Sequence, residues 1–453
     1  MDVANKAVAV IGLGISNTPL IAWLLERGAK ITARDKKPFE KLPEAVRAYA
    51  DKGVRFVCGE GYLDGLDEEI LFKAPGIRYD LSPLNEAVKR GALLTSEMEL
   101  FFELCPARIL GVTGSDGKTT TTTLLYTCLA EEYGKEKVFV GGNIGKPLLP
   151  ELDKMDKNCF AVVELSSFQL HTMTHSPDIS IITNLSPNHL DYHTDMAEYV
   201  AAKTNIYRYA KPGSRVILNG ENAITAKLGH DAPDGVAVEY FLGDDAYVEN
   251  GTIHLRGREV LKVGDIRIPG KHNVENYCGV ILALDGLVSD DTVRKVARTF
   301  GGVPHRIELV CEKNGVRYYN SSIDSSPTRT TAALNSFDEK VIVILGGYDK
   351  QIPFEPLAEP LCRKAKTVVL TGKTAEKIKK ALVSSPLYRE GAPRILEEAD
   401  FRLAVTAAHN EAKEGDIVLL SPACASFDAF PNFEVRGDTF KKIVSELCAE
   451  DTL

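Results

Sequence analysis

This sequence predicts an α/β protein of three domains built on mostly parallel sheets, and three observations carry the prediction. Short apolar runs alternate with amphipathic helical runs almost throughout the chain. Two of those runs end in glycine turns that lead straight into helical segments, one at Gly12 and one at Gly111–Gly117. The length of 453 residues leaves room for roughly three cores at about 150 residues each. Boundaries are expected near residues 100 and 302, giving segments 1–100, 101–302 and 303–453.

The first segment opens with Ala7–Ile11 as a strand, the turn Gly12-Leu-Gly14-Ile15-Ser16-Asn17, and a helix from about Thr18 to Arg27. Gly28 stops that helix, and Lys30–Arg34 is a second strand ending at Asp35. A strand, a two-glycine turn, a helix and an acid about 20 residues on form the opening of a dinucleotide fold, with the acid placed to meet a ribose. The third glycine of that fingerprint is replaced by Asn17. Two ligands therefore remain open, a nicotinamide cofactor or a nucleotide bound differently in the same crevice, and the second is favoured.

The second segment carries Gly111-Val-Thr-Gly114-Ser115-Asp116-Gly117-Lys118-Thr119, after the buried strand of Ile109, Leu110 and Val112. Its glycines let backbone N–H groups converge on phosphate oxygens, and Lys118 reaches the outer phosphates. Thr119 offers a hydroxyl to Mg²⁺, and the following helix, with Thr120 in its first turn, directs its positive end at the anion. ATP is the expected ligand. The glycine of the strict P-loop spacing is missing, because that position is Val112.

Phe160–Leu165 is a buried-strand pattern with one acid, Glu164, near its end. A charge there needs a cation, for which the Mg²⁺ of ATP serves, or else it caps a nearby helix. Ile181–His193 sets His189, Asp191 and His193 just after another buried strand, where parallel sheets deliver ligands. Lys203 shares a helical face with Tyr199 on the run Met196–Ala210; a solvated lysine is the plainer role and a partly buried amine the other. Asn276, in Pro269-Gly-Lys-His-Asn273-Val-Glu-Asn276, could contact a nucleotide, but part of a helix cap is the plainer role. Residues 231–267 read as short strands and turns, a hairpin decoration.

The third segment starts around Gly301-Gly-Val-Pro304, with Arg306 as a bidentate fork for phosphate. Three polar turns follow its strands: Ser321-Ser-Ile-Asp324, Gly346-Gly-Tyr-Asp349-Lys350, and Ser421-Pro-Ala-Cys424-Ala-Ser426-Phe427-Asp428. Together they would line one crevice suited to a small, multiply charged substrate, with Lys350 as a carboxylate partner.

Composition removes several classes. A net charge of −9 excludes a binder that depends on a basic domain to neutralise nucleic-acid phosphates. No run approaches the length of a membrane span, and no signal-peptide pattern precedes the first strand. Nine scattered cysteines without a Cys-x-x-Cys pair suit reduced thiols, with Cys424 as packing. A cytoplasmic protein is expected.

These motifs, taken together, resemble the Mur ligases over essentially the whole chain. The phosphate loop Thr113–Thr119 looks like the family's form. Gly141-Gly-Asn143-Ile-Gly145, Glu164-Leu-Ser166-Ser-Phe-Gln169 and Asn184-Leu-Ser-Pro-Asn-His189 follow in the family's order. Leu420–Asp428 with Phe433-Glu-Val-Arg-Gly437 looks like the D-glutamate-adding branch.

The resemblance implies three α/β domains, for a UDP-sugar, for ATP and for the incoming amino acid. It implies an ATP- and Mg²⁺-dependent ligase that joins D-glutamate to UDP-N-acetylmuramoyl-L-alanine through an acyl phosphate, acting as a monomer with no nucleic acid or membrane partner. The positions that match catalytic or metal residues are Lys118, Thr119, Glu164, His189 and Lys203, the last matching a lysine carbamylated in relatives. Gly114, Ser115, Asp116, Gly117, Lys118, Thr119, Thr120, Asn276, Arg306 and Asp324 fall to ATP. Gly14, Ile15, Ser16, Asp35, Asn143 and Ser166 fall to the UDP-substrate, and Lys350, Ser426, Phe427 and Phe433 to D-glutamate.

Two departures stand out. Many relatives have Asn-Asp-Ser-Lys where this chain has Asn320-Ser-Ser-Ile323, with Asp324 one position later, and Tyr348 intervenes before Asp349. Alternatives are a sister ligase of the Mur or folylpolyglutamate type, a nucleotide-binding regulator that makes no amide, and an NAD(P)-dependent oxidoreductase using the Gly12–Gly14 turn.

Overall fold

The computed structural model of the protein describes residues 1–189 and 192–450. It holds three sheets, one in each predicted segment. The chain forms two compact units, Met1–Asp265 with Val274–Ala297, and Ile266–Asn273 with Arg298–Leu453.

The first sheet is fully parallel. Its strands are β1 (Ala7–Ile11), β2 (Lys30–Asp35), β3 (Arg55–Cys58), β4 (Ile70–Lys73) and β5 (Leu93–Thr95), in the order β3-β2-β1-β4-β5. Successive strand residues face opposite sides, so Val8, Val10 and Phe72 enter one core while Ala9, Ile11 and Leu71 enter another. The first helix, Asn17–Glu26, starts one residue earlier than predicted.

The second sheet has nine strands: β6 (Arg108–Thr113), β7 (Val138–Gly142), β8 (Phe160–Glu164), β9 (Ile179–Ile182), β10 (Arg215–Asn219), β11 (Ala237–Phe241), β12 (Ala246–Glu249), β13 (Thr252–Leu255) and β14 (Arg258–Lys262). Their order is β14-β13-β12-β11-β10-β9-β6-β8-β7. The tract expected to be a hairpin decoration is more than that: β11 pairs parallel to β10, and β12–β14 form an antiparallel meander that extends the sheet. Between β12 and β13 the turn residues Asn250 and Gly251 both have positive φ, 47° and 73°, which a two-residue hairpin of this twist requires.

The third sheet comprises β15 (Glu308–Lys313), β16 (Val316–Asn320), β17 (Val341–Gly346), β18 (Ala365–Thr371), β19 (Arg394–Glu397) and β20 (Ile417–Leu420), in the order β15-β16-β20-β17-β18-β19. β16, β20 and β17 are thus neighbours, and the three polar turns predicted to share a crevice follow adjacent strands. All nine cysteines are free thiols; burial pushes the Cys424 thiol up to about 11. No helix among the described residues is long and apolar enough to cross a membrane.

Candidate active site

In the second sheet β6 lies between β8 and β9, and the chemistry-bearing residues sit where these three strands end. The loop after β6 is drawn close against the segment after β9. Ser115 N donates to Asn184 O at 2.8 Å, and Asp116 N to Asn184 Oδ1 at 3.0 Å. That approach depends on glycine. A Cβ on Gly114 would stand 1.9 Å from Thr183 Oγ1, and one on Gly117 would stand 2.6 Å from Asn276 Oδ1. Both glycines also have positive φ, 150° and 78°.

Gly117 leads into the helix Lys118–Tyr133, whose first turn holds Lys118, Thr119 and Thr120. Lys118 Nζ folds back to Ser115 O at 2.8 Å. Asn276 lies within the helix Lys271–Ala283 instead of capping it, and its Oδ1 accepts from Thr121 Oγ1 at 3.3 Å. That bond and the Gly117 contact place Asn276 beside the loop.

Glu164 ends β8, is buried, and accepts from Asn143 Nδ2 through Oε1 at 2.8 Å. Among the described residues nothing hydrogen-bonds its Oε2, which is buried. A buried carboxylate oxygen with no partner among the described residues calls for a cation, so the donor set fits Mg²⁺, and the glycine cradle with its helix N-terminus fits a triphosphate. His189 has φ 54° and sets its ring edge-on to Phe168 at 5.0 Å. Asp191 lies outside the described residues. His193 is buried against Ser167 Oγ at 2.9 Å, and burial lowers its imidazole to about 4.

Lys203 is a buried amine and not a surface lysine. Its side chain is 2% exposed, and Nζ donates to Gly114 O at 2.9 Å and Thr113 Oγ1 at 3.1 Å, over the Tyr199 ring. Burial, with the Lys118 charge adding to it and Glu164 opposing it, holds the amine well below the ordinary lysine range. Tyr199 OH also meets Ser115 Oγ at 2.9 Å, so helix Met196–Arg208 braces the loop twice.

The loop after β1 presents Gly14 and Ile15 to solvent, with Ile15 82% exposed and Ser16 half-buried. Asn17 does work that a third glycine would not. Its side-chain amide donates to Ile11 O and Gly12 O. Asp35 accepts from Leu13 N at 2.7 Å and Lys37 N at 2.8 Å, so it shapes the loop. Ser166 caps the short helix Ser167–Leu170 in a capping box with Gln169.

In the third sheet Lys350 and Arg306 are exposed, Phe427 is 64% exposed, Phe433 is half-buried and Ser426 is buried. Asp324 is buried, accepts from Ser421 Oγ at 2.8 Å, and burial raises its carboxyl to about 6. Ser321, at the position of the family's acid, is fully buried and takes Ile307 N at 3.2 Å. Sequence reasoning gave no role to Asn184 or Arg436. Arg436 is buried and donates to the carbonyls of Ser322, Cys424 and Ala425, tying two of the polar turns together. The only sequence cue was an arginine inside a motif already noted.

Two family descriptions match the chain, "Mur ligase middle domain" over residues 112–284 and "Mur ligase, glutamate ligase domain" over residues 305–424. A UDP-N-acetylmuramoylalanine–D-glutamate ligase of Acetivibrio thermocellus is 48% identical, covering 98% of this chain and 97% of its own. The enzyme of the same name from Clostridium novyi is also 48% identical, covering 98% of each chain. Among solved structures, the UDP-N-acetylmuramate–alanine ligase of Thermotoga maritima shares the fold, with a TM-score of 0.57 at 19% identity over 97% of this chain and 99% of that one. The chain therefore belongs to the Mur ligase family, as an enzyme of its ligase class.

Proposed function

We propose that this enzyme adds D-glutamate to UDP-N-acetylmuramoyl-L-alanine at the expense of ATP, in cytoplasmic synthesis of peptidoglycan precursors. One observation carries the reading. A phosphate cradle, a carboxylate with a free buried oxygen and a buried low-pKa amine meet at the ends of three adjacent strands, in a chain 48% identical to ligases of that name.

The work is divided among residues 1–100 for the UDP-sugar, 101–302 for ATP and 303–453 for the amino acid. A carboxylate is a poor electrophile, so an oxygen of the alanine carboxylate attacks the γ-phosphorus of ATP and ADP leaves. The amine of D-glutamate then attacks the acyl phosphate, loses a proton, and phosphate departs. Mg²⁺, when bound, offsets charge on the phosphoryl oxygens.

The chain's own residues position these reactants. The loop Gly114–Gly117 with Thr119 and Thr120 receives the phosphates, and Lys118 swings from Ser115 O to the transferring group. Glu164, His189 and the Thr119 hydroxyl form the metal set. In its unprotonated form, which burial favours, the Lys203 amine adds to CO₂ and releases a proton, giving a carbamate that would serve as an extra anionic ligand. Asn276, Arg306 and Asp324 face the nucleotide. Gly14, Ile15, Ser16, Asp35, Asn143 and Ser166 receive the UDP-sugar, while Lys350, Ser426, Phe427 and Phe433 receive D-glutamate. The protein acts as a monomer.

Phosphate release from ATP with UDP-N-acetylmuramoyl-L-alanine, compared across D-glutamate, L-glutamate, D-alanine, L-lysine and no amino acid, is the test. Release should require both the nucleotide sugar and D-glutamate. Release with another amino acid would move the enzyme to a sister branch, and release that ignores both substrates would overturn the ligase reading.

A further inference from the structure

Two sulfurs beside the third sheet lie against each other. Cys311 Sγ and Cys448 Sγ are 3.1 Å apart, although 137 positions separate the residues in sequence. Cys311 sits on the edge strand β15, and Cys448 near the end of the helix Phe433–Glu450. Both are free thiols, Cys311 half-buried and Cys448 buried. Other thiols of the chain meet other kinds of partner: Cys105 lies 3.8 Å from Met155 Sδ, Cys159 3.3 Å from Asp156 Oδ1 and Cys424 3.1 Å from Thr374 Oγ1.

Two local regularities bring the pair together. Along the helix, Phe440, Ile443, Val444, Leu447 and Cys448 recur at the three- and four-residue spacing of one face, and all five pack into one core. On β15 the register slips: Leu309 lies opposite Tyr319 and Cys311 opposite Tyr318, leaving Val310 as the extra residue of a bulge. In a regular strand Leu309 and Cys311 would share a side. With the bulge, Leu309 joins the core of Tyr319, while Val310 and Cys311 both join the core of Tyr318 and Cys448. The bulge thus aims Cys311 at the helix. Lys441 Nζ and Glu308 Oε1, 3.3 Å apart, tie the same two elements a second time. The sulfurs need to approach by roughly 1 Å to reach a disulfide's separation of about 2 Å.

We propose that Cys311 and Cys448 are a modification site, a thiol pair that a low-molecular-weight disulfide such as glutathione disulfide converts to an intrachain disulfide. Cys311, the more accessible of the two, attacks first as its thiolate. A bond forms to one glutathione sulfur, the S–S bond of glutathione disulfide breaks, and one glutathione leaves. Cys448 gives up its proton and attacks the Cys311 sulfur of that mixed disulfide, and the second glutathione leaves. Two protein thiols are oxidised, glutathione disulfide is reduced to two glutathione thiols, and the two thiol protons end on them. The bond closes a loop that contains β16 to β20, and it clamps the helix from which Arg436 ties two polar turns together. A cross-link across so long a loop restricts the unfolded chain more than the folded one.

The test is to incubate the full-length protein with glutathione disulfide, alkylate it in denaturant, digest it without reduction and map the peptides by mass spectrometry. A Cys311 peptide joined to a Cys448 peptide is expected, with two of the nine thiols lost to alkylation. The melting temperature should rise by about 5 °C and return to its starting value with dithiothreitol. Cys448→Ala should stop at glutathione on Cys311 and show no rise. Cys311→Ala, on the half-buried edge strand, is the second variant should the first melt lower, and it too should show no rise.

Joined peptides from another pair of cysteines would overturn the assignment. So would glutathione left on Cys311 in the parent, all nine thiols still open to alkylation, or a rise in melting temperature that persists in both variants.

Discussion

The phosphate loop and the carboxy-terminal turns are both polar segments at the ends of parallel strands, yet they are finished to different degrees. Around the loop the working side chains are already held: Ser115 by Tyr199, Glu164 by Asn143, Lys203 by Thr113 and Gly114. In the third sheet the scaffold is held by Arg436, while Lys350 and Phe427 stand in solvent. On the proposed function, the difference separates two tasks. Stabilising a transferring phosphoryl group rewards groups fixed in advance, because they need no reorganisation in the transition state. Selecting an amino acid is a binding task, in which free side chains order on contact and lose entropy as they do so.

If that contrast holds, substitutions near the loop lower kcat and those in the third sheet raise KM. Lys118→Ala should reduce phosphate release about 10³-fold, roughly 4 kcal/mol of transition-state stabilisation, with the melting temperature unchanged. A loss below tenfold would remove Lys118 from the transfer step. Glu164→Gln keeps an acceptor for Asn143 but removes the charge, so kcat should fall about 10²-fold and the Mg²⁺ requirement should rise. An unaltered Mg²⁺ dependence would take Glu164 out of the metal set. Lys350→Ala should raise the KM for D-glutamate about tenfold and leave kcat nearly alone; a kcat effect without a KM effect would erase the contrast.

The smallest expected effect is on stability. Burial raises the Asp324 carboxyl from 3.8 to about 6, so the folded state favours its protonated form. That contribution is fully present below about pH 4 and is lost as pH rises through about 6. Asp324→Asn should therefore melt with the parent at pH 4 and be more stable above pH 7, by on the order of 2 kcal/mol. A difference that does not change with pH would show that the carboxyl does not titrate in this range.

The loop and its strands were legible because backbone chemistry leaves a local signature: glycines where φ is positive, Lys-Thr at a helix start, β-branched runs before them. The adjacency of the three carboxy-terminal turns was legible for a similar reason, since parallel strands put successive turns on one edge. What escaped was set by packing across the sequence. Nothing local distinguishes Lys203 from a surface lysine; its burial comes from helix Met196–Arg208 lying against the β6 loop. Asp35 looked like a ribose contact, but the fold also uses it to pin Leu13 N, 22 residues away. The side chains of Arg436 and Asn184 bond to backbone carbonyls and N–H groups, which every residue has, so no pattern of partner side chains marks them. The edge meander was half read, because short strands with turn residues fix pairing only between neighbours.

The two-residue turn Asn250–Gly251 has a practical use. It is exposed, closes a meander at the outer side of the nine-stranded sheet, and is separated from β6 by β11, β10 and β9. A peptide epitope or fluorophore attachment sequence inserted there would lengthen a solvent-facing hairpin without passing through the strands that carry the phosphate loop. The appended strands thus give the enzyme a handle, a point from which it can be immobilised or optically followed through turnover while its chemistry is left alone.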